Sequence, residues 1–316
     1  MCRFRPGPNG RWRWYRGAAQ EVSLVSSLVP GRFRLSPARV AEARRLSVKW
    51  DPSKYVEFGN HRDRPFHDLV ARVRSVQPGR VVDLGCGPGN LTATLAERWP
   101  EAHVVGIDSS EEMLLRAESL KEEYLPQRSH HQTPARLTFE QGDIADWEPD
   151  AETDVVVTNA ALQWVPGHLD LMPGWLRALK PGAWFAMQVP GNFTSPSHTL
   201  MRELAESPKW SGRLGGVLRH DGAVGSPADY LGIMLDAGCA ADAWETTYLQ
   251  VLQGEDPVLE WVRGTGLRPV LAALSAEEAA DFEGQYAALL RQAYPSTNHG
   301  TVYPFRRIFA VAHKPE

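Results

Sequence analysis

The chain has 316 residues, 43% of them hydrophobic, which leaves room for one large domain or for a core domain with a substantial insertion. No apolar run approaches a membrane span, and Cys2, Cys86 and Cys239 are too scattered for a disulfide framework or a metal site; no membrane, no metal and a reducing cytoplasm are expected. The net charge of −4 divides unevenly: residues 1–49 hold ten Arg and one Lys against Glu21 and Glu42, a balance of +9, so the remainder carries −13.

In chain order, the basic stretch Arg11-Trp12-Arg13-Trp14-Tyr15-Arg16 would suit a nucleic-acid arm or a transit peptide. The acidic body argues against the first, since nonspecific affinity depends on neutralising phosphates, and no nucleic-acid partner is expected. From Pro52 to Arg74 the pattern predicts one or two amphipathic helices broken at Pro65, with Asp68 to Val73 packing apolar groups at helical spacing. Val81-Val82-Asp83-Leu84 then reads as a strand that opens into Gly85-Cys86-Gly87-Pro88-Gly89-Asn90. Glycine reaches positive φ without strain and has no Cβ to obstruct a ligand, so this loop lets backbone amides close on a nucleotide-like molecule at the mouth of the next helix. Asn90 stands where a dinucleotide fold places its third glycine, and the helix Asn90 to Trp99 begins without a Lys or Arg cluster for phosphate. A ligand without phosphate therefore fits better than NAD.

His103 to Ile107 reads as a second strand ending in Asp108, 19 residues beyond Gly89, where a nucleotide fold places the carboxylate that holds ribose hydroxyls. Ser109-Ser110-Glu111-Glu112 opens a capped helix. A third strand, Leu137 to Glu140, runs into Gly142-Asp143-Ile144, and a fourth, Asp154 to Thr158, ends at Asn159 and leads to Trp164. His168 to Leu179 makes a helix, and Trp184 to Val189 a fifth strand. Pro227 to Ala237 is a helix feeding a strand at Trp244 to Val251, and the last strand runs from Val302 to Val311. This alternation predicts an α/β fold with a doubly wound, Rossmann-like sheet. Two segments interrupt it, 192–225 and 254–300, the second with a helix from Ala276 to Tyr294 capped by Ser275 and Glu278. They are expected to form a helical lid over the carboxyl ends of the strands, where open α/β sheets bind ligands.

The run from Val81 to Gly89 resembles motif I of the class I S-adenosylmethionine (SAM)-dependent methyltransferases. That resemblance implies SAM as co-substrate, and in the family the acid at Asp143 faces the adenine amino group. The cofactor set it implies is Asp83, Gly85, Gly87, Gly89, Asp108, Ser109, Asp143, Ile144, Asn159 and Trp164. Outside the motif, Trp50-Asp51-Pro52-Ser53-Lys54-Tyr55, Trp244-Glu245-Thr246-Thr247-Tyr248 and Phe305-Arg306-Arg307-Ile308-Phe309 resemble the trans-aconitate 2-methyltransferase family, over essentially all of 50–313. The resemblance implies esterification of one carboxylate of trans-aconitate, a small tricarboxylate, by a chain expected to be a monomer. Because it starts close behind Val48, residues 1–47 are expected to be a disordered extension upstream of the true start, and 48–316 the methyltransferase domain.

A carboxylic acid with a pKa of about 4 is ionised at neutral pH, so the reaction needs no general base and no catalytic side chain is expected. A tricarboxylate does need cations, and arginine pairs with carboxylate bidentately. Arg62, Arg64, Arg268, Arg306 and Arg307 are the candidates, led by Arg268 and Arg307, each flanked by apolar or aromatic residues. Arg306 and Arg307 point to opposite faces of a strand, so at most one reaches the site. His61 and Tyr55 join the expected substrate set, His198 is a further donor, and Phe58 a wall residue. The alternative is a SAM-dependent methyltransferase acting on a different small organic acid or other small molecule.

Overall fold

The computed structural model describes residues 3–6, 12–15, 59–124, 136–218 and 221–316, and the chain divides into two units, Met1–Ser47 and Val48–Glu316. In the first, strands β1 (Arg3–Pro6) and β2 (Trp12–Tyr15) pair antiparallel; the rest of the expected extension lies outside the described residues.

The second unit is built on strands β3 (Arg80–Leu84), β4 (His103–Asp108), β5 (Arg136–Gln141), β6 (Val155–Asn159), β7 (Trp184–Pro190), β8 (Ala240–Leu252) and β10 (Gly300–His313), with a short β9 (Ser296–Thr297) beside β10. Their order in the sheet is β5-β4-β3-β6-β7-β10-β8. The strands from β3 to β7 run parallel, and β10 is antiparallel to both neighbours. The order reverses between β3 and β4 on one side and β6 on the other, which opens a crevice at the carboxyl ends of the central strands.

The β-branched runs are buried because the sheet is covered on both faces. Val81, Val104, Val155, Val157 and Phe309 pack against α1 (Gly59–Val70), α2 (Asn90–Arg98) and α3 (Glu111–Tyr124) on one face. Val82, Val105, Val156, Phe185 and Ile308 meet α4 (His168–Ala178) and α7 (Pro227–Asp236) on the other. Alternate residues of each strand thus serve opposite layers.

A third core belongs to the interrupting segments. Helices α5 (Pro196–Ala205) and α6 (Ser211–Leu214) pack with α8 (Pro257–Arg263), α9 (Arg268–Ala273) and α10 (Ala276–Ala293) around Trp210, Trp261, Phe282 and Tyr286. The ends of β8 and β10 supply Leu252, Tyr303 and Phe305 to the same core. Ser275 and Glu278 make the expected capping box at the start of α10.

Two expectations need correcting. Helix α1 runs through Pro65 without a break: proline's fixed φ is itself helical, and only one ladder bond is given up. Strands β8 and β10 are longer than the sequence pattern indicated, since they pair with each other from Thr301↔Leu252 to His313↔Ala240. Pro304 is tolerated because β7 ends at Pro190, opposite Arg307, so β10 has a neighbour on one side only at that point.

Candidate active site

Gly85, Gly87 and Gly89 all adopt positive φ, at 76°, 55° and 79°. They differ in what surrounds them. A Cβ on Gly85 would lie 2.3 Å from Ala161 Cβ, and one on Gly89 would lie 2.7 Å from Phe139 and 2.8 Å from Ala117. A Cβ on Gly87 would meet nothing within 4 Å among the described residues, so its position is open to a ligand.

Asp108 clasps this loop. Its Oδ2 accepts from the Gly87 amide at 2.9 Å and its Oδ1 from the Ser110 amide at 2.9 Å. Burial raises its pKa, while the amides of Ser110, Gly87 and Ser109 oppose the shift. Asp83 sits beneath the loop, 3% exposed, and accepts from the Thr92 hydroxyl at 2.7 Å. Burial pushes it up to about 7, with Thr92 opposing and the nearby Asp108 charge adding.

A cavity of about 360 Å³ extends from this loop to the lid. Its strand end is walled by Gly85, Gly87, Asp108, Ser109, Asp143, Ile144 and Asn159. Trp164 also lines it, so eight of the expected cofactor residues meet on one surface. Asp83 and Gly89 do not reach the cavity. One is buried against α2, and the other fills a tight contact between α3 and β5. At Asn159 the side-chain oxygen is buried and has no hydrogen-bond partner among the described residues. The next residue, Ala160, holds φ at 53°, a conformation that costs an L-residue about 1 kcal/mol or more.

The lid end separates the arginines. Arg307 is 5% exposed and lines the cavity; its guanidinium lies 4.3 Å from the Phe305 ring centroid, and its Nη1 is 3.5 Å from Gln188 Oε1. Arg306 turns to the other face and donates to Glu245 Oε2 at 3.0 Å. Arg64 stacks over Tyr248 at 5.0 Å and faces Asp68 at 3.8 Å, a bracing arrangement. Arg268, the first residue of α9, is half-buried but off the cavity wall, where its neighbour Pro269 stands instead. Its apolar neighbours Leu267 and Pro269 had favoured it, but at the start of a helix flanking residues point in different directions, so they do not carry Arg268 to the wall. Tyr55 and Phe58, and the side chains of His61 and Arg62, lie outside the described residues.

Sequence reasoning missed Arg202, Gln163 and Trp261, which also line the cavity. For Arg202 a signal existed: it lies four residues after His198, so one face of α5 presents both.

A methyltransferase-domain family matches residues 77–222. The trans-aconitate 2-methyltransferase of Streptomyces avermitilis is 55% identical over 267 residues, covering 84% of this chain and 97% of the relative. The chain belongs to the trans-aconitate 2-methyltransferase family. The enzyme of that name from Rhodococcus jostii is 53% identical over 83% of this chain and 98% of its own length. Among solved structures, the YcgJ protein of Bacillus subtilis shares the fold at a TM-score of 0.52 and 16% identity, covering 80% of this chain and 99% of that one. The chain is an enzyme with a methyltransferase domain.

Proposed function

We propose that the chain esterifies one carboxylate of trans-aconitate with a methyl group from SAM, giving the monomethyl ester and S-adenosylhomocysteine. The observation that carries this reading is a single cavity with a glycine–acid wall at one end and two arginines, Arg202 and Arg307, at the other. The strand end suits SAM on three counts. Gly87 is open, the Asp108 carboxylate borders the space, and the orphaned Asn159 oxygen is in want of a donor. In this reading Asp108 holds the ribose, Asp143 and Ile144 border the adenine, and Gly85, Gly87, Ser109, Asn159 and Trp164 line the rest.

When bound, SAM supplies an electrophilic methyl group on a sulfonium, which one carboxylate oxygen receives. The protein's share is to hold the acid and exclude water. Arg202 and Arg307 grip carboxylates, each charge-assisted hydrogen bond contributing about 1.5–3 kcal/mol. Phe193, Met201, Trp261 and Phe305 wall the space with apolar surface. Orientation of this kind can contribute on the order of 7–11 kcal/mol, and no base is required of an acid already ionised.

Among the described residues no helix is long and apolar enough to cross a membrane. We place the enzyme in the cytoplasm as a monomer that needs neither metal nor nucleic acid. The test is methyl transfer from labelled SAM by the full chain, offered trans-aconitate, cis-aconitate, citrate and isocitrate in parallel. A base-labile methyl ester formed preferentially on trans-aconitate is expected. SAM binding without turnover on any of them would cancel the substrate and point to another small organic acid.

A further inference from the structure

Three tyrosine hydroxyls converge on one serine in the first turn of α5. The Ser197 amide donates to Tyr294 Oη at 3.0 Å, its carbonyl accepts from the Tyr286 hydroxyl, and its Oγ lies 3.2 Å from Tyr303 Oη. Ser197, Tyr286 and Tyr303 are fully buried, where an unsatisfied polar group costs about 1–3 kcal/mol. Burial pushes both of those phenols up, so they remain donors at any ordinary pH.

The proton positions follow from this crowding. Tyr303 Oη also meets the Asn192 side chain, whose Oδ1 is taken by the Arg306 amide, so the Tyr303 proton is assigned to Ser197 Oγ. Ser195 Oγ, 3.1 Å from Ser197 Oγ, already gives its proton to the Asn192 carbonyl at 2.6 Å. The Ser197 proton is left with the imidazole Nδ1 of His198, 3.1 Å away and a stronger acceptor than a hydroxyl. A neutral histidine that accepts at Nδ1 carries its proton on Nε2. Burial, helped by the Arg202 charge, holds the His198 pKa down to about 4, so the ring is neutral near pH 7.

Nε2 stands at the cavity wall, beside Gly266. His198 and Gly266 both line the cavity, and a Cβ on Gly266 would come within 3.4 Å of Nε2. Phe193 packs a tilted ring at 5.6 Å from the imidazole and fixes its plane. Among the described residues Nε2 has no hydrogen-bond partner.

We infer that His198 is a specificity-determining substrate contact, its Nε2–H donating to a carboxylate oxygen of the bound acid, with Ser197 and Tyr303 as positioning residues that fix its tautomer. The inference rests on the methyl-transfer reading above. A neutral donor suits the chemistry, because the reacting carboxylate loses its negative charge as the ester forms. A full positive charge there would stabilise the ground state more than the transition state. The donor instead selects by geometry, since an acid whose oxygen misses Nε2–H leaves a buried group unpaired.

The test combines two readouts on the full chain. In ¹⁵N-histidine-labelled protein at pH 7, the resonance lost in His198→Phe should show the neutral Nε2–H tautomer; Nδ1–H would overturn the inference. In kinetics, His198→Phe should raise the KM for trans-aconitate about tenfold or more, with SAM affinity unchanged. His198→Gln, whose amide nitrogen can occupy the same donor position, should recover to within about threefold, and Tyr303→Phe should fall between them. Wild-type kinetics in His198→Phe would overturn the inference, as would equal losses in His198→Phe and His198→Gln with SAM affinity weakened in step. If the wild-type chain methylates no acid, the methyl-transfer reading fails, and the tautomer still decides the donor assignment by itself.

Discussion

The two ends of the cavity are built by different means. At the strand end the wall is largely backbone and short side chains, set by loops that leave β3, β4, β5 and β6 at the same edge of the sheet. At the lid end it is long side chains, Arg202 from α5, Trp261 from α8, and Phe305 and Arg307 from β10, gathered by a separate hydrophobic core. The first end is rigid because positive-φ glycines and an aspartate clasp hold the chain. The second depends on packing between segments far apart in sequence. A substitution at one end should therefore change one ligand and spare the other.

Four substitutions probe that division. Asp108→Ala removes the proposed ribose contact and also frees the Gly87 and Ser110 amides, so SAM affinity measured by calorimetry should fall roughly 100-fold. An unchanged affinity would remove Asp108 from the ribose. Arg307→Ala should raise the KM for trans-aconitate about 10–100-fold while SAM binding stays the same. Equal losses for both ligands would mean that the two ends do not act separately.

Asp83→Asn bears on the loop's foundation rather than on its wall. The folded-state pKa of Asp83, about 7, lies above the unfolded value of about 3.9. The folded protein thus binds more protons than the unfolded one in that window, and stability falls as pH rises from about 4 to about 7. Asp83→Asn should flatten that slope, by up to roughly 4 kcal/mol across the window. Denaturant titrations of both proteins at several pH values measure it, and parallel slopes would contradict the assignment. Arg306→Ala, on the outer face with Glu245, should cost no more than about 1 kcal/mol of stability and leave both ligands bound as before. A KM effect as large as that of Arg307→Ala would mean the strand's two faces had been misassigned.

The same division governs how far the sequence could be read. The strand end was legible because its residues follow directly on strands, so local patterns such as Gly85-Cys86-Gly87 and the acid at Asp108 carry the site within a few positions. Asp83 and Gly89 belong to the same motif yet stand behind the wall, since a motif records what the loop needs as well as what the ligand touches. Two-residue alternation correctly allowed only one of Arg306 and Arg307 into the cavity. It gave no help with Arg268, whose helical setting follows another period. Trp261 escaped notice because nothing near it in sequence announces the cavity, and Arg202 was signalled only by its four-residue spacing from His198; tertiary packing brings both there. Pro65 was read as a break on a local rule that the packing of α1 on the sheet overrides.

In the proposed reading, the lid end of this cavity holds the acid independently of the strand end. Calorimetric titration of trans-aconitate into the chain saturated with S-adenosylhomocysteine, for wild type and Arg307→Ala, tests it most directly. Acid binding at least about tenfold weaker in Arg307→Ala, with S-adenosylhomocysteine affinity unchanged, is expected. Equal acid affinities in the two proteins, or a matching loss of S-adenosylhomocysteine binding, would contradict it.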